Sequence, residues 1–323
     1  MRIGIVGCGL IGTKRAAEAR REHQIVVVAD LDLERAQRLA AATGARPTTN
    51  WKEAVAADVD IIIVATAHDM LAAVALAAIE AGRHVLVEKP AARTRRELEP
   101  IIAAAKRNGR LVKVGFNHRF HPAFIKAREL VDGGAIGPLM FIRARYGHGG
   151  RVGYEKEWRC SREVSGGGEL IDQGSHLVDL SRWFLGDLRL DYAALPTCFW
   201  PIAVDDNCFL ALKTSDDRLA WLHASWTEWK NMFSFEIFGR DGKLMIDGLG
   251  GSYGVERLTF HRMLPAMGPP ETTVWDYPAP DQSWAAEFAE FISAITQNRQ
   301  PIGNIHDAAA VLDIVNEAYR RPS

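Results

Sequence analysis

The sequence predicts an α/β protein: a doubly wound parallel sheet at the N-terminus, then an α+β domain with a large, mostly antiparallel sheet. Three observations carry this expectation. Short β-branched runs alternate strictly with Ala-, Arg- and Glu-rich helical patterns over the first 118 residues. After Phe116 the chain turns to longer stretches of alternating apolar and polar residues separated by turns. The length, 323 residues, is about twice that of a usual domain.

Arg2–Val6, Ile25–Asp30, Asp60–Thr66, His84–Glu88 and Leu111–Phe116 are too short and too β-branched for helices, so they read as buried strands. Gly12–Arg21, Leu33–Thr43, Met70–Ala81 and Thr94–Asn108 read as helices, and Gly44, Gly82 and Gly109 stand where a C-cap glycine belongs. Strict alternation of this kind implies a parallel sheet covered on both faces. The first domain is expected over residues 1–118 and the second over 119–323. In the second, a helix at His121–Val131 ends at Asp132-Gly133-Gly134. Strands follow at Leu139–Tyr146, Arg189–Phe199, Asn207–Lys213, Arg218–Thr227, Phe233–Phe238, Lys243–Ile246 and Val255–His261. A helix at Asp172–Leu185 is inserted early, and helices at Ser283–Thr296 and His306–Arg320 close the domain.

A formal charge of −1 argues against nucleic acid as a partner. The longest apolar region, Ile61 to Ile79, is broken by His68 and Asp69, so no membrane span is expected. The N-terminus lacks a basic leader, apolar run and cleavage site in succession. Cys8, Cys160, Cys198 and Cys208 show no C-x-x-C spacing, so neither a zinc site nor a disulfide framework is expected, and a reducing cytoplasm is the expected home.

"RIGIVGCGLIG" places Gly7, Gly9 and Gly12 in G-x-G-x-x-G spacing between a predicted strand and a predicted helix. Gly7 suits the tight turn, Gly9 the close approach of a pyrophosphate, and Gly12 the packing of helix on strand. Backbone N–H groups of Leu10, Ile11 and Gly12 would then face the phosphates. Asp30 ends the second strand, where a carboxylate accepts hydrogen bonds from ribose hydroxyls and repels a 2′-phosphate; NAD is therefore expected over NADP. FAD fits the same fingerprint less well. Thr66, Glu88 and Lys89, at the ends of the third and fourth strands, complete the expected cofactor contacts. Pro90 disfavours helical geometry at Lys89 and keeps it extended at the carboxyl edge of the sheet, where such folds bind ligands.

The segment "SGGGELIDQGSHLVDLSRW" sets Asp172 and His176 four residues apart on a predicted helix behind three glycines. Residues four apart share a helix face, and glycines let the backbone pass close to a ligand. Metal binding is a competing use, but no third ligand is suitably spaced, and no metal is expected. A structural pair capping the helix is the other alternative. Asp179, three past His176, reads as a local structural residue.

Taken in order, G-x-G-x-x-G, the acid after strand two, "HVLVEKPAA", "GFNHRF" and "GGGELIDQGSH" resemble the glucose–fructose oxidoreductase/inositol dehydrogenase (Gfo/Idh/MocA) family over almost the whole chain. The resemblance implies a Rossmann domain carrying NAD(P) and a second domain that covers the nicotinamide and supplies subunit contacts. It gives Lys89, Asp172 and His176 the places of the catalytic lysine, aspartate and histidine. One departure is "ATAHDML", with Ala67 and Leu71 where members often carry a proline and then a histidine. Asn117, Arg119, Tyr154, Trp158, Arg159 and His176 are the expected substrate contacts, polar and aromatic groups that suit a sugar or polyol.

The expected activity is NAD-dependent hydride transfer to or from a secondary alcohol of a sugar, cyclitol or nucleotide-sugar derivative. Two rivals stand beside it: glycosidic cleavage by transient oxidation, and nucleotide sensing without catalysis. Aromatics at Phe199, Trp200, Trp221, Trp226, Trp229, Phe233 and Phe235 suggest an open apolar sheet face, hence a homodimer or homotetramer. Trp221 and Phe233 are the two expected inside, against helices.

Overall fold

A computed structural model describes residues 1–321. The chain forms two compact units. The first comprises Met1–Phe116, Glu163–Gly166 and Trp284–Leu312; the second comprises Asn117–Arg162, Gly167–Ser283 and Asp313 onward.

In the first unit six parallel strands alternate with helices. They run β1 (Arg2–Val6), α1 (Leu10–Ala19), β2 (Gln24–Ala29), α2 (Leu33–Thr43), β3 (Arg46–Thr48), α3 (Trp51–Ala56), β4 (Ile61–Val64), α4 (His68–Glu80), β5 (His84–Val87), α5 (Arg95–Asn108) and β6 (Val112–Val114). The strand order β3-β2-β1-β4-β5-β6 is that of dinucleotide-binding sheets, with its ligand crevice at the carboxyl ends of the strands where the order reverses. β4 reads Ile-Ile-Ile-Val and is buried along its whole length, as a strand covered on both faces must be. β3 and α3 lie outside the sequence expectation. They are only three and six residues long, and Pro47 masks the strand.

The second unit begins with a 3₁₀ turn at Asn117–Phe120 and α6 (Pro122–Asp132), followed by β7 (Leu139–Gly147). Short turns lead to α7 (Arg162–Ser165), a π-helical turn (Leu170–Gly174) and α8 (Ser175–Leu185). Strands β8 (Arg189–Ala194), β9 (Asn207–Lys213), β10 (Leu219–Ser225), β11 (Met232–Gly239), β12 (Gly242–Asp247), β13 (Glu256–Arg262) and β14 (Glu271–Tyr277) follow. The chain closes with α9 (Ser283–Thr296) and α10 (Ile305–Arg320). The eight strands order β14-β13-β12-β11-β7-β10-β9-β8, antiparallel except for β7 against β10. β14 was not expected, because its side chains are largely exposed at the sheet edge. β8 stops at Ala194, before the expected Phe199 and just short of Pro196, as a residue that cannot donate to the ladder dictates.

Two expectations change. The stretch 119–323 is not one unit: Phe288, Phe291 and Ala294 of α9 complete the apolar core of the first sheet, against Ile3, Ile5, Ile61 and Ile63. Periodicity shows that a helix has an apolar face, not which sheet receives it. The aromatic strands also divide differently. Phe233, Phe235 and Trp226 are fully buried, whereas Trp221 is 44% exposed. Trp226 lies past the end of β10, where its N–H donates to Asp206 O, and packs with Tyr154. The outward face carries Trp221 and Phe141, with Phe141 stacked on Phe238, beside Glu236 paired to Arg143 and Lys243.

Candidate active site

The glycine turn after β1 is dictated partly by the protein itself. At Gly7 (φ +97°) a Cβ would lie 2.3 Å from Ala65 O, and at Gly12 it would lie 1.8 Å from Gly7 O. Gly9 differs: no atom beyond its immediate chain neighbours lies within 4 Å of where its Cβ would be. Its small size answers no packing demand and leaves a cradle into which a pyrophosphate fits. α1 begins at Leu10 with no side-chain cap and no acidic residue in its first turn, so its N–H groups and dipole meet no internal anion. Asp30 follows β2, its carboxylate accepting from Cys8 N at 2.7 Å and Asp32 N at 2.9 Å. Each oxygen keeps acceptor capacity for a ribose hydroxyl. Burial and the Asp30 charge push the Cys8 thiol up to about 12, so it stays protonated. Thr66 sits beside Gly7, its hydroxyl donating to Ala67 O at 3.0 Å.

Glu88 and Lys89 follow β5, and the Lys89–Pro90 peptide is cis. The Glu88 carboxylate accepts from Arg15 Nε at 2.7 Å. Arg15 also reaches Glu287 of α9 at 2.5 Å, and Glu287 faces Lys113 Nζ at 3.2 Å. Arg15, Lys113 and Glu287 are no more than 1% exposed. Two cations and two anions thus neutralise one another inside the unit, directly behind Lys89. Burial raises the Glu88 carboxyl, although Arg15 pulls the other way. The atypical loop after β4 has a defined role: buried His68 Nδ1 lies 2.8 Å from Ser165 O, and Arg93 Nη1 donates to Glu163 O. These bonds fix the 163–166 segment that precedes the remaining glycines.

In the second unit the glycines are explained by protein neighbours. A Cβ at Gly167 would meet Tyr319 Oη at 2.1 Å, and one at Gly168 would meet Asp205 O at 1.9 Å. Buried Asp205 accepts from Gly168 N and Leu170 N, anchoring the turn that carries Asp172. That turn is π-helical rather than α-helical, and α8 continues from it with His176 near its start. Asp172 pairs with Arg159 Nε at 3.2 Å, and Arg159 lies over the Trp158 ring. Burial would lower the Arg159 guanidinium, but the charges of Asp172, Tyr154 and Glu157 raise it overall. His176 is 5% exposed and its ring stacks on that of His118, centroids 3.7 Å apart. Tyr146 lies edge-on to His176 and tilted against His118, with Tyr253 and Gln173 behind it.

Burial pushes the Tyr146 and Tyr154 phenols up, and nearby Asp172 adds to the rise. Burial lowers His148, and its Nδ1 accepts from Gly150 N at 2.9 Å. Among the expected substrate residues, Tyr154 packs in the cluster with Trp226 and Cys160. Arg119 is buried in a bidentate pair with Asp179 at 2.8 and 2.6 Å. Asn117 is buried and donates to Ser283 Oγ at 2.9 Å. His118, between these two in the same motif, was not singled out from sequence; a third polar residue in "NHRF" was its only signal.

Lys89 and the glycine cradle belong to the first unit, and Asp172, His176, Arg159 and His118 belong to the second. Residues 1–116 match the model of an oxidoreductase family with an NAD-binding Rossmann fold, and residues 124–245 match the GFO/IDH/MocA C-terminal domain. The chain belongs to the Gfo/Idh/MocA oxidoreductase family. Similar family members include levoglucosan dehydrogenase of Pseudarthrobacter phenanthrenivorans, 26% identical over 62% of this chain and 58% of that protein. Inositol 2-dehydrogenase 2 of Saccharopolyspora erythraea is 34% identical over 58% of this chain and 54% of that protein. The chain thus spans little more than half the length of these relatives. The crystal structure of an NAD binding oxidoreductase from Klebsiella pneumoniae shares the Gfo/Idh/MocA fold, with a TM-score of 0.87 at 23% identity, over 99% of this chain and 98% of that one.

Proposed function

We propose that the protein is an NAD-dependent dehydrogenase or reductase acting on a secondary alcohol of a sugar, cyclitol or nucleotide-sugar derivative. The observation that carries this reading is the polar cluster at the start of α8, buried Asp172 paired with half-buried Arg159 and buried His176 stacked on His118. The open space at Gly9, the uncapped start of α1 and the Asp30 carboxylate fit NAD. Bound NAD⁺ supplies the hydride acceptor. His176 takes the proton from the substrate hydroxyl, the general-base task an imidazole most often performs. Lys89 hydrogen-bonds that oxygen and stabilises its developing negative charge. Asp172 and Arg159 orient the site, with half-buried Trp158 offering aromatic surface to a polyol. In the reverse direction the same groups protonate a ketone. The related dehydrogenases of levoglucosan and inositol support this substrate class.

A panel of sugars, inositols and nucleotide sugars, read by NADH absorbance, tests the reading. Lys89→Met and His176→Ala should each lower turnover by at least about a hundredfold, with NAD affinity little changed. Glycoside turnover without net NADH would favour the transient-oxidation rival, and nucleotide binding with no turnover of any substrate would favour a sensor.

The outward sheet face with Phe141, Trp221 and Phe238 supports a homodimer or homotetramer, and light scattering tests it; a monomer in solution refutes it. Four free cysteines, three of them buried, suit a reducing cytoplasm. No helix among the described residues is long and apolar enough to cross a membrane.

A further inference from the structure

We propose that His118 is a positioning residue for the base, its ring serving as a held platform that sets the plane of the His176 imidazole and carries it through protonation. The inference rests on the assignment of His176 as base. The two rings are nearly parallel, 17° apart, with centroids at 3.7 Å. His118 is itself fixed. The Asn117 amide donates through Nδ2 to Ser283 Oγ at 2.9 Å, which turns its Oδ1 toward His118 Nδ1 at 3.2 Å. A carbonyl oxygen only accepts, so His118 Nδ1 carries the hydrogen. Phe233 and His121 close on its edges at 6.2 and 5.7 Å.

Two consequences follow. A flat partner in contact removes rotational freedom from His176, so the proton-accepting nitrogen is held before substrate arrives. Second, a neutral aromatic face stabilises a cation lying on it, whereas two charged rings at this distance repel. The stacked pair therefore takes up one proton readily and a second only against repulsion, and the first serves the reaction. The titratable and charged groups around the pair within this unit include Tyr146 on β7, Asp172 with its partner Arg159 on the adjoining turns, buried Glu169 whose charge acts on Tyr146, Tyr253 beyond Tyr146, and His121 with Glu256 and Asp281 behind His118.

The test compares His118→Ala with His118→Phe, which restores a flat ring of similar size. The Ala variant should lose about tenfold or more in kcat, with KM for NAD unchanged and the acidic limb of the pH profile displaced. The Phe variant should recover to within about threefold, a small part of a typical general-base contribution. Imidazole NMR signals of the wild-type protein give a readout that needs neither variant. The His118 and His176 signals should titrate in two separate steps, and simultaneous, independent titration overturns the inference. Wild-type turnover and pH profile in His118→Ala also overturn it. So does a Phe variant no better than the Ala variant while both remain folded. His176→Ala separates the two levels: near-normal turnover there removes the base assignment itself, whereas a large loss there beside an unaffected His118→Ala removes only the platform.

Discussion

Glu287 offers a sharp test of how the first unit is held together. Its carboxylate accepts from Arg15 at 2.5 Å and faces Lys113 at 3.2 Å, and all three side chains are essentially inaccessible to water. Glu287→Gln keeps the shape and one acceptor but removes the charge, leaving two buried cations against Glu88 alone. Each lost pair is worth about 5 kcal/mol gross at an effective dielectric near 20. Relief of desolvation returns part of this, and removing one partner of a buried ion pair costs about 3–5 kcal/mol net. At about 1.4 kcal/mol per factor of ten, the open population of the unit should rise at least about a hundredfold. Hydrogen exchange read by mass spectrometry measures it directly. Peptides from α1, β6 and α9 should exchange faster, while peptides from β9 to β12 serve as internal controls. Adding Lys113→Met removes one of the two stranded cations, so the double variant should recover more than about 1 kcal/mol, the coupling expected of groups in contact. A loss below about 1 kcal/mol in the single variant, or no recovery in the double, refutes the reasoning.

Asp30→Ala should weaken NAD binding and narrow the margin over NADP, because the like charge facing a 2′-phosphate is gone; binding constants for both cofactors decide it, and tighter NADP binding by the wild type sinks the NAD assignment. Gly12→Ala should destabilise the fold through the clash with Gly7 O, whereas Gly9→Ala should leave thermal stability intact and weaken only cofactor binding; calorimetry paired with titration separates the two. Asp206 gives a pH signature. Burial alone would raise its carboxyl, but hydrogen bonds from the backbone of Cys198, Phe199 and Trp200 and from Asn207 lower it overall. A carboxyl depressed in the folded state stabilises above its unfolded value, about 3.9, and that stabilisation is lost as pH falls through the folded value. Denaturant unfolding of wild type and Asp206→Asn should therefore differ most near neutrality and converge in acid, and a gap independent of pH would contradict the assignment.

The parallel half was legible because each of its longer strands is a short β-branched run between helical patterns, and because glycine spacing and Asp30 report a backbone geometry local in sequence. The segment carrying Asp172 and His176 was legible as a helix, but its π-helical turn was not. That depends on Gly168 pressing against Asp205, thirty-seven residues away. Pairings across long separations left no local mark either: Arg119 with Asp179 looks like two independent polar residues until the fold joins them. The same holds for His118, whose importance lies in the ring stacked on it. Trp221 and Trp226 show the limit of alternation, since the strand ends between them and the period no longer applies.

The membership of α9 in the first unit sets a timetable for synthesis. Arg15 and Glu88 leave the ribosome early, but Glu287 follows Glu88 by 287 − 88 = 199 residues, which takes about 10–40 s at ordinary elongation rates. Throughout that interval the nascent parallel sheet lacks Phe288 and Phe291 over one face and the second carboxylate between Arg15 and Lys113. The parallel sheet is therefore begun before the second unit but completed only after most of that unit has been made, and its nucleotide cradle reaches full stability only then.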